Sequence, residues 1–179
     1  MQHFRVKIFA TAAEGVDIAQ AIPVFHRWIQ QSALPEMLID VADYGHVPAG
    51  PGVLLVGHDS HYSLDLNKNR LGLLYSRRTV ADGSAADRIA DAIDRAAAAA
   101  ARIAAEAEFA GRLQFDSNEM EISVNDRYLA PNTPAAAAAL EPDLRAVLDA
   151  RWGPGAYTLE LGGEPRELLT FRARKRFGP

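Results

Sequence analysis

The sequence predicts an α+β domain built on a largely antiparallel β-sheet, with three helical regions packed mainly on one face. Three observations carry this expectation. Segments of period-two hydrophobicity fall in groups instead of alternating strictly with helices. Asparagine, glycine and proline turn signals join neighbouring segments closely, as hairpins require. Three stretches carry helical spacing bounded by capping or breaking residues. The predicted order is β-α-β-β-β-β-α-β-β-α-β-β, which is not that of a doubly wound fold.

Phe4–Phe9 alternates, with Phe4, Val6 and Ile8 on one face and Arg5 and Lys7 on the other, as in a half-buried strand. From Ile18 to Ile29 the spacing turns helical. Pro23 suits the first turn, Ile22, Phe25, Trp28 and Ile29 form the apolar stripe, and Leu34-Pro35 ends it. Met37–Ala42 reads as a strand, and Gly45 to Gly52 as a punctuated connection. Val53–Val56 is uninterruptedly apolar and reads as a central strand buried on both faces. His61–Leu66 and Leu71–Tyr75 flank Asn67-Lys68-Asn69-Arg70, a hairpin turn because asparagine tolerates left-handed backbone.

Ser84 is a good N-cap for a helix running to about Phe109, with Gly111 beyond it as a stop. Ile89, Ile93, Ala96, Ala100, Ile103 and Ala107 make its narrow stripe. Leu113-to-Phe115 and Met120-to-Val124 read as two strands around a turn at Ser117-Asn118. The helix from Pro134 to Trp152 is expected to break or restart at Pro142. Strands around Tyr157–Leu161 and Leu169–Ala173, joined through Gly162-Gly163, complete the chain.

With 179 residues the chain is long enough for a single compact domain over 1–179. Strands gathered around one helix in each part leave open two similar halves, about 1–110 and 111–179. Hydrophobic residues make up 49% and charged residues 23%, ordinary for a globular protein. A formal net charge of −4 and a pI of about 5.7 argue against a general nucleic-acid partner. The absence of cysteine excludes disulfides, thiolate metal sites and a thiol nucleophile. The opening MQHFRVKIFATAAEG reads as a strand and not as a secretory leader, and no segment has the roughly 20 apolar residues that span a bilayer. A cytoplasmic protein without a membrane partner is expected.

Residues 39–78 concentrate the groups able to move protons, hold a metal or bind a polar ligand. The expected ligand-facing residues are His46, His58, Asp59 and His61, backed by Asp43 and Tyr62. Neutral imidazoles with a carboxylate suit zinc, iron or manganese, but His58 and His61 point to opposite faces of a regular strand unless the chain bends between them. Without metal, Asp43, His46 and His58 offer a carboxylate-oriented imidazole for proton transfer, and no nucleophile elbow accompanies it. A hydrogen-bonding role at the strand ends is the alternative. Neither a metal nor any other cofactor is assigned.

Pro48-Ala49-Gly50-Pro51-Gly52 matches no phosphate-loop pattern and reads as a tight connection. Further on, a strand ending in Arg77-Arg78, a loop with Gly83 and the helix from Ser84 resemble the strand–loop–helix order of the GNAT acetyltransferases. That likeness implies a pyrophosphate held at the loop. The family's Gln/Arg-x-x-Gly-x-Gly/Ala motif is not met, because Arg78 precedes Gly83 by five positions and Asp82 stands beside it. The run Arg172-Ala173-Arg174-Lys175-Arg176 offers an anion, acidic-partner or RNA contact, or an edge strand guarded by charge.

The residues together point to a non-catalytic ligand- or protein-binding or assembly protein with its main site in 39–78. The alternative is an enzyme using the same histidine–aspartate cluster, by metal-dependent, acid–base or acyltransferase-like chemistry. The alanines of 96–101 exceed what one core stripe needs, and a two-fold homodimer is expected from them.

Overall fold

The computed structural model describes residues 3–176. In chain order it contains β1 (Phe4–Ala12), a 3-10 turn (Ile18–Gln20), α1 (Ala21–Gln30), β2 (Leu38–Tyr44), β3 (Gly52–Gly57), β4 (Ser60–Asp65) and β5 (Gly72–Arg77). α2 (Ala85–Ala105), β6 (Leu113–Val124), α3 (Pro134–Trp152), β7 (Tyr157–Gly162) and β8 (Thr170–Lys175) follow. One eight-stranded sheet has the order β2-β3-β4-β5-β1-β6-β8-β7, and its paired strands are antiparallel. The α+β class holds. Among the described residues no helix is long and apolar enough to cross a membrane.

The helices lie against one face because only that face is apolar. Phe4, Val6 and Ile8 of β1 are buried there beside Leu73 and Tyr75 of β5 and Met120, Ile122 and Val124 of β6. α2 supplies Ile89, Ile93, Ala96, Ala100 and Ile103, all buried. Full burial of an isoleucine contributes about 1.5–3 kcal/mol, so the three isoleucines of this seam are a substantial source of stability. Ser84 and Asp87 form a reciprocal capping box at the start of α2. The hairpin turn after β4 has Lys68 and Asn69 at φ 58 and 55, the left-handed backbone expected there.

Several details differ from expectation. Ser117-Asn118 does not reverse the chain. β6 is one strand of 12 residues, and a register shift between Ile8 and Ala10 of β1 absorbs the extra residues. Asp116 Oδ1 accepts from the Asn118 backbone N–H at 2.8 Å and its Nδ2 at 3.1 Å, so the turn chemistry produces a bulge. α3 continues through Pro142, whose ring deprives the exposed Ala138 carbonyl of its bond on the solvent side. α2 stops at Ala105, leaving Ala107 exposed, because Glu106 turns toward α1 and accepts from Trp28 Nε1 at 2.6 Å and Arg27 at 2.7 Å.

The buried side of α1 is Ala21, Val24, Phe25 and Trp28, with Ile22 and Ile29 only partly covered. β3 lies next to the edge, and its Leu54 and Val56 are only half-buried. β8, expected as a possible edge, is interior, between β6 and β7. Of the alanines in 96–101, Ala96, Ala99 and Ala100 are buried within the chain itself.

Candidate functional site

The face of the sheet opposite the helices is polar, and its strands pair charges of opposite sign. In register across it stand Lys7 of β1, Glu121 of β6, Arg172 of β8 and Glu160 of β7. Cross-strand neighbours lie about 5 Å apart at Cβ, close enough for such pairs to stabilise one another. One row further, Arg5 stands between Ser76 and Ser123, and Ser123 faces Thr170, their hydroxyls 2.9 Å apart.

A cleft of about 680 Å3 opens over these rows. Its cations, Arg5, Lys7, Lys68, Arg70, Arg127, Arg166 and Arg172, outnumber its carboxylates, Asp65, Glu121, Glu160 and Glu167. Several of these charges are fixed by partners. Lys7, only 5% exposed, donates to Asp65 at 2.5 Å and to the Arg70 carbonyl at 2.6 Å. Gly72 makes room for that lysine, since a Cβ there would lie 2.9 Å from Lys7 Cε and 2.6 Å from the Ile8 carbonyl oxygen.

Glu119, two residues before Glu121 on β6, accepts from Arg70 at 3.2 Å, from Arg174 at 3.2 Å and from Arg172. The Arg70 guanidinium also lies 3.5 Å from the centroid of the Phe9 ring, a cation–π contact that holds it flat. Lys68 pairs with Glu167 at 2.9 Å. Arg5 differs from the rest. Its Nε is buried without a hydrogen-bond partner, and burial holds its guanidinium below the usual pKa, an effect only partly offset by Asp65.

The histidine-bearing segment is arranged differently. His46 follows β2, its ring 6.4 Å from that of Tyr44. Asp43 closes the same turn by accepting from the Gly45 N–H at 2.8 Å. His58 lies beyond the far end of β3, a six-residue strand about 20 Å long, so His46 and His58 do not converge. His58 Nδ1 is 3.1 Å from Asp59 Oδ1, which also accepts from Thr79 Oγ1 at 3.0 Å. The Thr79 bond, followed by His58, holds the Asp59 carboxyl below its ordinary range.

His61 and Tyr62 point to opposite faces of β4. His61, between Val56 and Ser76 on the open face, has a buried Nδ1 without a partner. Burial and then Arg78 push its imidazole pKa down. Tyr62 is 1% exposed on the helix side and donates to Glu36 Oε1 at 2.7 Å. Among the described residues no three His, Asp or Glu side chains are grouped to hold a metal ion.

Glu36 is the residue that sequence reasoning missed. It accepts from the hydroxyls of Tyr62 and Ser60 and from the N–H groups of Asp59 at 3.2 Å and Ser60 at 3.0 Å. Gly57 admits it, because a Cβ there would stand 2.5 Å from Glu36 Oε2. The carboxylate locks the β3–β4 turn to the loop before β2 and leaves the Tyr62 phenol, already pushed up by burial, higher still. No local pattern announces it, since a glutamate after a proline reads as linker.

At the loop compared with the acetyltransferases, Asp87 Oδ2 accepts from the Ser84 N–H at 2.8 Å and Ser84 Oγ accepts from the Asp87 N–H at 3.1 Å. Two of the N–H donors a phosphate would use there, those of Ser84 and Asp87, are already taken by the chain. No protein-family model matches this chain, and no match is found among curated proteins.

Proposed function

We propose that the protein is a non-catalytic binding protein whose site is the cleft on the open sheet face. The observation that carries this reading is the cleft itself: about 680 Å3, within the range of small-molecule sites, over an immobilised array of charge. The 39–78 segment contributes Asp65, Asn67, Lys68, Arg70 and Leu74 to it. No histidine lines it, and Asp65 and Glu167 are occupied by Lys7 and Lys68, an arrangement suited to holding a polar ligand more than to transferring protons. The proposal takes the protein as cytoplasmic and self-associating. Support for the latter is edge strand β2 with its flanking Met37, where Met37 and Ile39 are exposed.

The enzyme alternative rests on the exposed His58–Asp59 pair, which has the minimum elements of an oriented imidazole. One experiment separates the readings. Polar metabolites screened by protein-observed NMR should perturb the amides of Lys7, Glu121, Ser123 and Arg172. Perturbation confined to 43–62 would move the site to the histidine segment. A silent screen would remove the small-ligand reading, leaving a protein partner at the rim, where Tyr128 and Leu129 are exposed beside Arg127.

A further inference from the structure

We propose that the ligand of the open-face cleft carries a carboxylate or phosphate group and that Arg5 is its anchor. The inference rests on the reading of the cleft as the binding site, and goes beyond it by naming the chemistry recognised and the residue that recognises it.

β1 has both neighbours in the sheet, so a side chain on its open face rises from the floor of the cleft and not from its rim. The cross-strand neighbours of Arg5 on β5 and β6 are Ser76 and Ser123, neutral groups that can donate or accept. Among the described residues Arg5 enters no ion pair, and its buried Nε has no partner. A guanidinium stays charged in proteins, so burial cannot be relieved by losing the proton. It is relieved by an anion.

Asp65 offsets that burial only in part, and no carboxylate among the described residues pairs with Arg5 directly. Asp65 is bonded to Lys7 at 2.5 Å, and Glu119 is engaged by Arg70, Arg172 and Arg174. Glu121 stands in register between Lys7 and Arg172, one row away from Arg5. The other side chains of the strand array are thus neutralised locally, whereas Arg5 is left with a hydroxyl on each side. A guanidinium fork matches the two oxygens of a carboxylate or phosphate, and Ser76, Ser123 and Thr170 can donate to the rest. Arg166 lines the same cleft, and its carbonyl accepts from Arg127 at 2.5 Å, so cationic residues also frame the entrance.

The test titrates inorganic phosphate, acetate and the neutral polyol glycerol into the full chain at constant ionic strength, following the Arg5 Nε–H resonance and the amides of β1 and β6. Phosphate, acetate or both should shift the Nε–H, showing which oxyanion is preferred, and Arg5→Gln should weaken that binding at least about tenfold. Arg5→Lys, which keeps the charge and loses the fork, should fall between the two. Ser123→Asp places a carboxylate beside Arg5; it should raise the melting temperature and abolish anion binding. Unchanged anion affinity in Arg5→Gln would overturn the proposal. If glycerol perturbs the cleft and neither anion does, the anion assignment fails while the cleft remains a binding site. If none of the three perturbs it, the assignment fails, and the metabolite screen decides the cleft separately.

Discussion

Alternate residues of β1 sit in opposite surroundings: Phe4, Val6 and Ile8 against helices, Arg5, Lys7 and Phe9 under an open cleft. The first face is held by apolar burial, which is non-directional and tolerates exchange among shapes of similar volume. The second is held by partnered charges, where removing one group strands another. Of the β1 side chains, Phe4, Val6 and Ile8 are accounted for by packing, whereas the buried Arg5 Nε has no partner from the chain.

The largest expected effect lies on the helix face. Ile93→Asp puts a carboxylate into the seam between α2 and the sheet, where Ile93 is fully buried, and should cost more than about 4 kcal/mol. Urea denaturation followed by circular dichroism would measure it, and an unchanged midpoint would mean the seam is not packed.

Next comes the open face. Lys7→Met leaves Asp65 buried without its cation and should cost about 3–5 kcal/mol, whereas Lys7→Met with Asp65→Leu should recover most of that loss. A double-mutant cycle reads the difference. If the single and double variants are equally destabilised, the charges are not coupled and the contrast between the faces disappears.

The smallest effect is a pH dependence. Burial and Arg78, against a weaker opposing pull from Glu36, hold the folded-state pKa of His61 below its ordinary 6.5. The unfolded chain therefore binds this proton first as pH falls. Its contribution is fully present above about pH 6.5 and is lost as pH drops toward the lowered value. His61→Gln should flatten the stability–pH curve below about pH 6.5; a curve that stays parallel to the wild type would assign the acid sensitivity elsewhere.

Much of this architecture was legible from residue order. The alternation of Phe4–Phe9 placed the correct residues on each face, Ser84 marked the start of α2, and Asn67–Arg70 marked the hairpin turn. Pairing between distant strands was not legible. Nothing local says that Arg5 faces Ser123, or that Ser117-Asn118 bulges because β1 is available on both sides of it. The histidines are close in sequence, yet β3 separates His46 from His58 and the pleat separates His61 from Tyr62. A signal for the cleft was nonetheless present. β1 carries cations at period two, β6 carries Glu119 and Glu121, and β8 carries Arg172 and Arg174, which are three strands of alternating sign.

The central place of β1 also bears on how the chain acquires its shape. β1 is synthesised before the other strands of this sheet, yet its neighbours β5 and β6 begin only at Gly72 and Leu113. The β2–β3, β3–β4 and β4–β5 hairpins close over short loops and can form while β1 still has both edges bare. Pairings so distant in sequence are slow to form, and an unpaired strand is open to wrong partners. A chain from which β6 is missing could offer β1 only β5 as a partner, with nothing on the other side. Release of β6 from the ribosome is therefore the step that closes the middle of the sheet, and in the same movement it brings Ser123 alongside Arg5.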